Sequence, residues 1–194
     1  MKKRIKIFNT LLVLVFISIS NTVLANNYVI DSKGMHASIQ FKISHLGYSW
    51  LWGRFNNFEG TFNYDKNQPE KSQIKITIDT KSIDSNHAER DKHLRGKDFL
   101  NVSKFPQSTF VSTSYQQKKH GKGILKGHFT LNGITKPITI DVNFTGEGKD
   151  PWGGYRVGFE GKTRIALADY GIMQDLGPSS KELDLLFAIE GIRQ

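Results

Sequence analysis

The feature that most constrains the fold is an alternation of apolar and polar residues with a period of two, which recurs along most of the chain. Apolar side chains occupy every second position, with few exceptions, in segments 37–43, 74–78, 109–114, 125–131, 138–144, 157–167 and 183–189. Because successive side chains of a β-strand point to opposite faces, such segments are typical of strands with one buried face. The chain is therefore predicted to be all-β.

Turn signals separate these segments. Clusters of glycine, asparagine, aspartate and proline lie at 31–34, 65–69, 119–123, 132–133 and 147–154. Asn132-Gly133 is the strongest hairpin signal, because both residue types accept the positive φ angles of a two-residue turn. About eight strands joined by short turns favour a sandwich or a closed antiparallel barrel. An eight-stranded barrel is either packed solid or holds one slender ligand, and periodicity does not distinguish these interiors.

Residues 85–100 interrupt the alternation. They are rich in helix-forming residues, with Ser85 or Asn86 as candidate N-caps and Gly96 as a candidate end. This segment predicts one helix of about two turns. Its charged run, 89–92, is interpreted as a solvated helix face with local ion pairs.

Residues 1–25 have the pattern of a secretory signal peptide. Four basic residues within positions 2–6 precede an apolar stretch over 7–19, and the −1 position of the expected cut is Ala25. The apolar stretch is shorter than the roughly 18 residues that span a bilayer. We therefore expect cleavage after Ala25 and export of one domain, residues 26–194.

The charge and composition of the exported part exclude several functions. Removal of residues 1–25 leaves 23 basic and 18 acidic side chains, a net charge of +5 that is too weak and dispersed to predict nucleic-acid binding. The absence of cysteine excludes thiol catalysis and cysteine-based zinc sites. No nucleotide-binding or hydrolase motif is present, and His87 and His93 are spaced poorly for a shared metal on one helix face. Neither a catalytic site, a metal site nor a cofactor is predicted.

Aromatic residues are concentrated at Tyr48, Trp50 and Trp52, between two glycines. Two interpretations are open for this segment. The aromatic side chains either plug one end of the barrel or form an apolar lip around a ligand entrance.

Several longer motifs resemble the YceI-like family of bacterial periplasmic proteins, in the same order along nearly the whole exported chain. They are His36, the segment His45-Leu-Gly-Tyr-Ser-Trp-Leu-Trp-Gly-Arg-Phe55, Asn86-His-Ala-Glu-Arg-Asp-Lys-His-Leu-Arg95, Asp98-Phe-Leu-Asn101, Phe105-Pro-Gln-Ser-Thr-Phe110, Leu131-Asn-Gly-Ile-Thr-Lys-Pro137, Asp150-Pro-Trp-Gly-Gly-Tyr-Arg-Val-Gly-Phe159 and Asp175-Leu-Gly-Pro-Ser-Ser180. The resemblance implies a periplasmic location and an extended, eight-stranded, lipocalin-like antiparallel barrel. It also implies an elongated apolar pore for a polyisoprenoid or similar lipid.

The expected pore lining follows from the alternation and from the aromatic segment. The candidate residues are Phe41, Ile43, Trp50, Ile76, Ile78, Phe129, Ile140, Phe144, Phe159 and Phe187. Arg90 and Arg95, in the densest basic stretch of the exported chain, are candidates for pairing with an anionic head group or with a membrane surface.

Two other functions remain open at this stage. One is an enzyme acting on an isoprenoid or another apolar substrate, with His36, His45 or His87 as the base. The other is a stress-protective or interaction barrel with a filled core. The sequence also leaves open whether the protein is a monomer or a homodimer.

Overall fold

The computed structural model describes residues 26–34 and 36–194, and the signal-peptide prediction lies outside these residues. The strands are β1 Asn26–Ile30, β2 Ser38–His45, β3 Ser49–Phe55, β4 Phe58–Tyr64, β5 Gln73–Asp79, β6 Ile83–Asp84, β7 Gln107–Gln117, β8 Lys122–Leu131, β9 Ile134–Lys149, β10 Tyr155–Ala166 and β11 Glu182–Arg193. The α-helix α1 spans Ala88–Leu94, and short 3-10 helices span Pro69–Lys71, Thr80–Ser82, Leu167–Tyr170 and Pro178–Ser180.

These strands form a closed antiparallel barrel of eight. Three barrel strands are interrupted, so β1 continues as β2, β3 as β4 and β5 as β6, and the sheet then runs in sequence from β7 to β11. The last strand closes the ring, because β11 pairs with β2 through its first half and with β1 through its second half. The predicted fold class is confirmed.

The hairpin between β8 and β9 is also confirmed. Leu131 and Ile134 pair directly across a two-residue turn. Asn132 has φ = 50° and Gly133 has φ = 74°, the left-handed backbone that such a turn requires.

The predicted helix forms, but a different residue caps it. His87 is the N-cap, and its Nδ1 accepts a hydrogen bond from the Arg90 backbone N–H at 3.2 Å. Asn86 instead takes a left-handed conformation (φ = 62°) in the turn before the helix, and Ser85 bonds to Asp91. The helix ends at Leu94, two residues before the glycine expected to stop it. In the described part of the chain, no helix combines the length and hydropathy needed to cross a membrane.

The two ends of the barrel differ. At one end, called the helix end, lie α1, the β2–β3 turn and the 3-10 helix at 178–180. The opposite end, called the aromatic end, contains a cluster of inward rings. Its members are Tyr28, Phe62, Tyr64, Phe144 and Phe159, joined by ring contacts with centroid distances of 5.0 to 6.3 Å. This cluster packs the interior of the aromatic end.

Inward-facing glycines provide space for aromatic rings inside the barrel. A Cβ atom at Gly53 would overlap the tip of the Phe41 ring, and one at Gly127 would lie 2.5 Å from Phe110 Cζ. A ring can lie flat across the neighbouring strand only where that strand lacks a side chain. Such pairs hold the rings against the wall and leave the middle of the barrel open.

Candidate ligand-binding cavity

Two neighbouring cavities lie inside the part of the barrel that the structure describes. The larger has a volume of about 510 Å³ and lies at the helix end, and the smaller has about 80 Å³ and lies toward the aromatic end. An engineered cavity of about 150 Å³ holds benzene, and most small-molecule sites have roughly 300–1,000 Å³. The larger cavity is therefore of the size of a ligand site.

The lining of the larger cavity is mainly aliphatic and aromatic, and comes from strands all around the helix end. Leu185 on β11 and Phe55 on β3 are among its buried members. Its lining also includes Leu46, which is 51% exposed, so the cavity reaches the surface beside the β2–β3 turn. The structure therefore has an opening to the larger cavity at this turn.

Most residues predicted to line a pore do face one of the two cavities. Phe41, Ile43, Ile78 and Phe129 line the larger cavity, Ile76, Ile140 and Phe159 line the smaller, and Phe187 lines both. Phe144 faces inward but lines neither, because it packs against Tyr64 and Phe159 in the aromatic cluster. Whether these side chains contact a ligand stays a prediction.

The assignment of Trp50 to the lining is wrong. Trp50 belongs to β3, where Leu51 and Phe55 point inward, so its own side chain lies on the outer face. It is 56% exposed, and the Lys42 ammonium lies 4.0 Å from its ring centroid. The aromatic segment therefore does not plug the barrel, and the apolar residue of this turn at the cavity mouth is Leu46.

Polar side chains surround the mouth. His45, Arg90, His93 and Asp175 all line the outer part of the larger cavity. Arg90 is fixed in position, because its Nε donates to Ser85 Oγ at 2.8 Å and its Nη2 donates to the Ser85 carbonyl. Among the described residues, none accepts a hydrogen bond from Nη1 of Arg90.

Asp91 holds this arrangement in place. Asp91 is only 7% exposed, and its carboxylate accepts hydrogen bonds from the backbone N–H and the hydroxyl of Ser85. The interpretation of residues 89–92 as a solvated face is therefore wrong for Asp91. No local sequence pattern predicts this role, because a contact over six residues is not among the usual side-chain bonds near a helix start.

Arg95 does not line the cavity, so the prediction that Arg90 and Arg95 both contact a head group is wrong for Arg95. Its Nε donates to the Lys81 carbonyl at 2.7 Å and its Nη2 to the Ile83 carbonyl at 2.6 Å. These two bonds attach the end of α1 to the segment that joins β5 and β6 and to the first residue of β6. Arg95 thus has a structural role, and Arg90 is the arginine at the mouth.

The three histidines considered as bases lie in different places. His45 lines the mouth of the larger cavity, and His87 caps α1 through its ring nitrogen. His36 lies outside both cavities, with its Nδ1 2.9 Å from the Asp31 carboxylate. The structure does not bring these histidines together.

A separate charged cluster lies on the outer surface around Arg156. Asp31, His36 and Glu190 are close enough together to resemble a metal site, but the Arg156 guanidinium donates to both carboxylates. The same guanidinium donates to Asp150, and this pairing lowers the pKa of Asp150. The cluster is consequently an ion-pair network whose centre is occupied by an arginine.

Comparison with known proteins matches both the sequence and the architecture. A family model described as the YceI-like domain matches residues 28–190. A UPF0312 protein of Azotobacter vinelandii is 55% identical over 171 residues, which cover 88% of this chain and 89% of that protein.

Two solved structures show the same fold. BcnA of Burkholderia cenocepacia superposes with a TM-score of 0.73 at 20% identity, over 83% of this chain and 98% of that chain. A polyisoprenoid binding domain from Saccharophagus degradans superposes with a TM-score of 0.63 at 12% identity, over 88% of this chain and all of the other.

Proposed function

Because the chain belongs to the YceI-like domain family, we propose that it binds a polyisoprenoid or a similar long apolar lipid, as a carrier or sequestering protein. The observation that carries this proposal is the larger cavity, with its apolar wall, its volume of about 510 Å³ and its opening at the helix end. The name of the Saccharophagus degradans domain, which shares the fold, supports the same ligand class.

Burial alone supplies enough free energy for such binding. Each methylene transferred from water to an apolar wall contributes about 0.8 kcal/mol. Scaled from the roughly 150 Å³ that hold the six carbons of benzene, the larger cavity accepts roughly 20 carbons, or about four isoprene units. The protein therefore needs no specific polar recognition along the chain.

The mouth supports recognition of a polar or anionic head group. Arg90 lines this mouth together with His45 and His93, and Nη1 of its guanidinium has no acceptor among the described residues. A phosphate at the end of a polyprenyl chain would accept charge-assisted hydrogen bonds from these donors. Arg90 alone, and not Arg90 together with Arg95, is thus the proposed head-group arginine.

Two alternative functions have less support. A filled-core barrel does not agree with the volume of the larger cavity. An enzyme would depend on His45, because His36 and His87 are engaged away from the cavity by Asp31 and by the start of α1. Prolonged incubation of the protein with its extracted lipid, followed by mass spectrometry of the lipid, tests the enzymatic alternative, which predicts a changed lipid mass.

Location and membrane contact are part of the proposal. Export to the periplasm rests on the sequence of residues 1–25, and N-terminal sequencing of the exported protein should begin at Asn26. Peripheral contact with a membrane is supported by Tyr48, Trp50 and Trp52, which are exposed beside the cavity mouth. Tryptophan and tyrosine are the side chains enriched at membrane–water interfaces.

The decisive experiment is organic extraction and native mass spectrometry of protein purified from the periplasm. We expect a long-chain apolar lipid in the wild type and its loss in Leu185→Trp, which places a bulky indole in the wall of the larger cavity. Leu186→Trp is the matched control, because Leu186 is the next residue of β11 and points to the outer face. Wild-type protein without any lipid, which also fails to take up added prenols, would refute the proposal.

A further inference from the structure

The two cavities lie next to each other in the same barrel. Of all the described residues that line them, only Phe187 belongs to both linings. Phe187 stands in the middle of β11, between Leu185, which faces the larger cavity, and Ile189, which faces the smaller. Its ring therefore stands at the boundary between them.

The orientation of the Phe187 ring differs from that of the other inward rings. At Gly53, Gly123 and Gly127, the atoms nearest to an added Cβ include the far end of the neighbouring ring, which lies across the glycine. At Gly161, the partner of Phe187 in β10, the nearest Phe187 atoms are Cδ2 at 3.3 Å and Cβ at 3.5 Å, which form the base of the side chain. The far end of the Phe187 ring thus points away from the strand beside it and into the barrel.

No aromatic partner among the described residues holds this ring, although its side chain packs against the core. Phe187 is only partly buried, and it takes part in none of the aromatic pairs formed by the described residues. Phe62 and Phe159, by comparison, each contact at least two other rings. The Phe187 ring has a cavity on each side, so it can separate the two cavities without stacking on another ring.

We infer that Phe187 sets the length of the apolar chain that the barrel accepts, an inference that rests on the proposed lipid-binding function. A chain that enters at the helix end fills the larger cavity and then meets the Phe187 ring. Removal of the ring joins the two cavities into one continuous space that extends to the aromatic cluster. Phe187 is thus a specificity-determining residue, and the smaller cavity is an additional chain-binding space that the wild type closes off.

The test measures affinity against chain length. Delipidated wild type and Phe187→Ala are titrated with all-trans prenols of increasing length, in competition with a fluorescent fatty-acid probe. In both proteins affinity should rise steeply at first, by about fourfold for each methylene buried. In the wild type it should stop rising near the length that fills the larger cavity, and in Phe187→Ala at least one isoprene unit later.

Phe129→Ala is the matched control, because it removes the same ring from a residue that lines the larger cavity only. Removal of the Phe129 ring adds space at the side of the larger cavity without joining it to the smaller one, so the limiting length should increase by less than in Phe187→Ala. Phe187→Leu keeps part of the side-chain volume and covers the case in which the alanine variant does not fold; it should lengthen the accepted chain by a smaller step. An unchanged limiting length in both Phe187 variants, or an equal shift in Phe129→Ala, would overturn the inference. A wild type that binds no prenol would instead refute the proposed function.

Discussion

Arg156 and Asp31 are 125 residues apart in the sequence and are joined by a hydrogen bond of 2.6 Å between guanidinium Nη1 and carboxylate Oδ2. Arg156 lies on β10 and Asp31 directly follows β1, so the bond bridges across the intervening strand β11. Glu190 on β11 accepts from the same nitrogen. The network therefore crosses the seam at which the barrel closes.

This network predicts a loss of stability at low pH. The hydrogen bond from Arg156, assisted by His36, lowers the pKa of Asp31 from 3.8 to about 2. Because the carboxylate is more acidic in the folded state, its contribution is complete above pH 4 and disappears as the pH falls toward 2. The difference corresponds to about 2 kcal/mol in the free energy of unfolding.

Urea unfolding at several pH values measures this effect. Asp31→Asn should be less stable than the wild type at pH 7, and the difference between the two should become smaller between pH 4 and pH 2. The control is Asp169→Asn, because Asp169 is exposed and has no ion-pair partner among the described residues. A constant difference between Asp31→Asn and wild type at all pH values would show that the charge of Asp31 is not the cause.

Phe159→Ala should lower stability without weakening ligand binding. Phe159 contacts Phe62, Tyr64 and Phe144 at the aromatic end, and loss of such a ring costs about 3–5 kcal/mol. Because Phe159 lines the smaller cavity only, the affinity for a chain held in the larger cavity should remain that of the wild type. Thermal melting and prenol titration measure the two effects, and a large loss of affinity would mean that the wild-type ligand already reaches the aromatic end.

Arg90 and Arg95 should have separable effects. Arg90→Gln is expected to weaken binding of a polyprenyl phosphate by about tenfold at low salt, since one charge-assisted hydrogen bond contributes roughly 1.5–3 kcal/mol. Arg95→Gln should lower the melting temperature and leave the affinity unchanged, because its donors bind backbone carbonyls. Titration of the phosphate and of the uncharged alcohol distinguishes head-group contact from chain burial. Equal effects of Arg90→Gln on both ligands would contradict a head-group role.

The exposed tryptophans should determine membrane contact. Replacement of Trp50 and Trp52 by serine is expected to reduce co-sedimentation with vesicles of phosphatidylglycerol and phosphatidylethanolamine several-fold. Trp152 provides the control, because it is 77% exposed in the β9–β10 turn at the opposite end of the barrel. If Trp152→Ser reduces sedimentation as strongly as the double variant, contact is not specific to the cavity mouth.

The sequence predicts the fold well because its alternation has the same period as a strand, and the inward direction of residues such as Phe41 and Ile76 follows from it. Trp50 is the exception, because the concentration of aromatic residues suggests a site at the barrel end, whereas the alternation of β3 places Leu51 inside and Trp50 outside.

Other features depend on contacts that no local pattern encodes. The donors of Arg95 meet carbonyl groups 12 and 14 residues away, and these carbonyls are brought near only by the folded turn. Periodicity likewise gives the face on which Phe187 lies, but the direction of its ring depends on the space left by Gly161 and Ile140. Rotamers inside a barrel are decided by neighbouring strands.

The pairing of β11 with both β1 and β2 has a consequence for the order of folding. The interior cannot be shielded from water until the last strand joins the first, and contacts such as Tyr28 with Arg193 are distant in sequence. Folding rates decrease as the average sequence separation of contacts increases. Before closure, β1 and β11 are both unpaired edges that can associate with other chains. The newly made protein is thus prone to aggregate through these edges until its final strand pairs, and we expect it to depend on a chaperone during that interval.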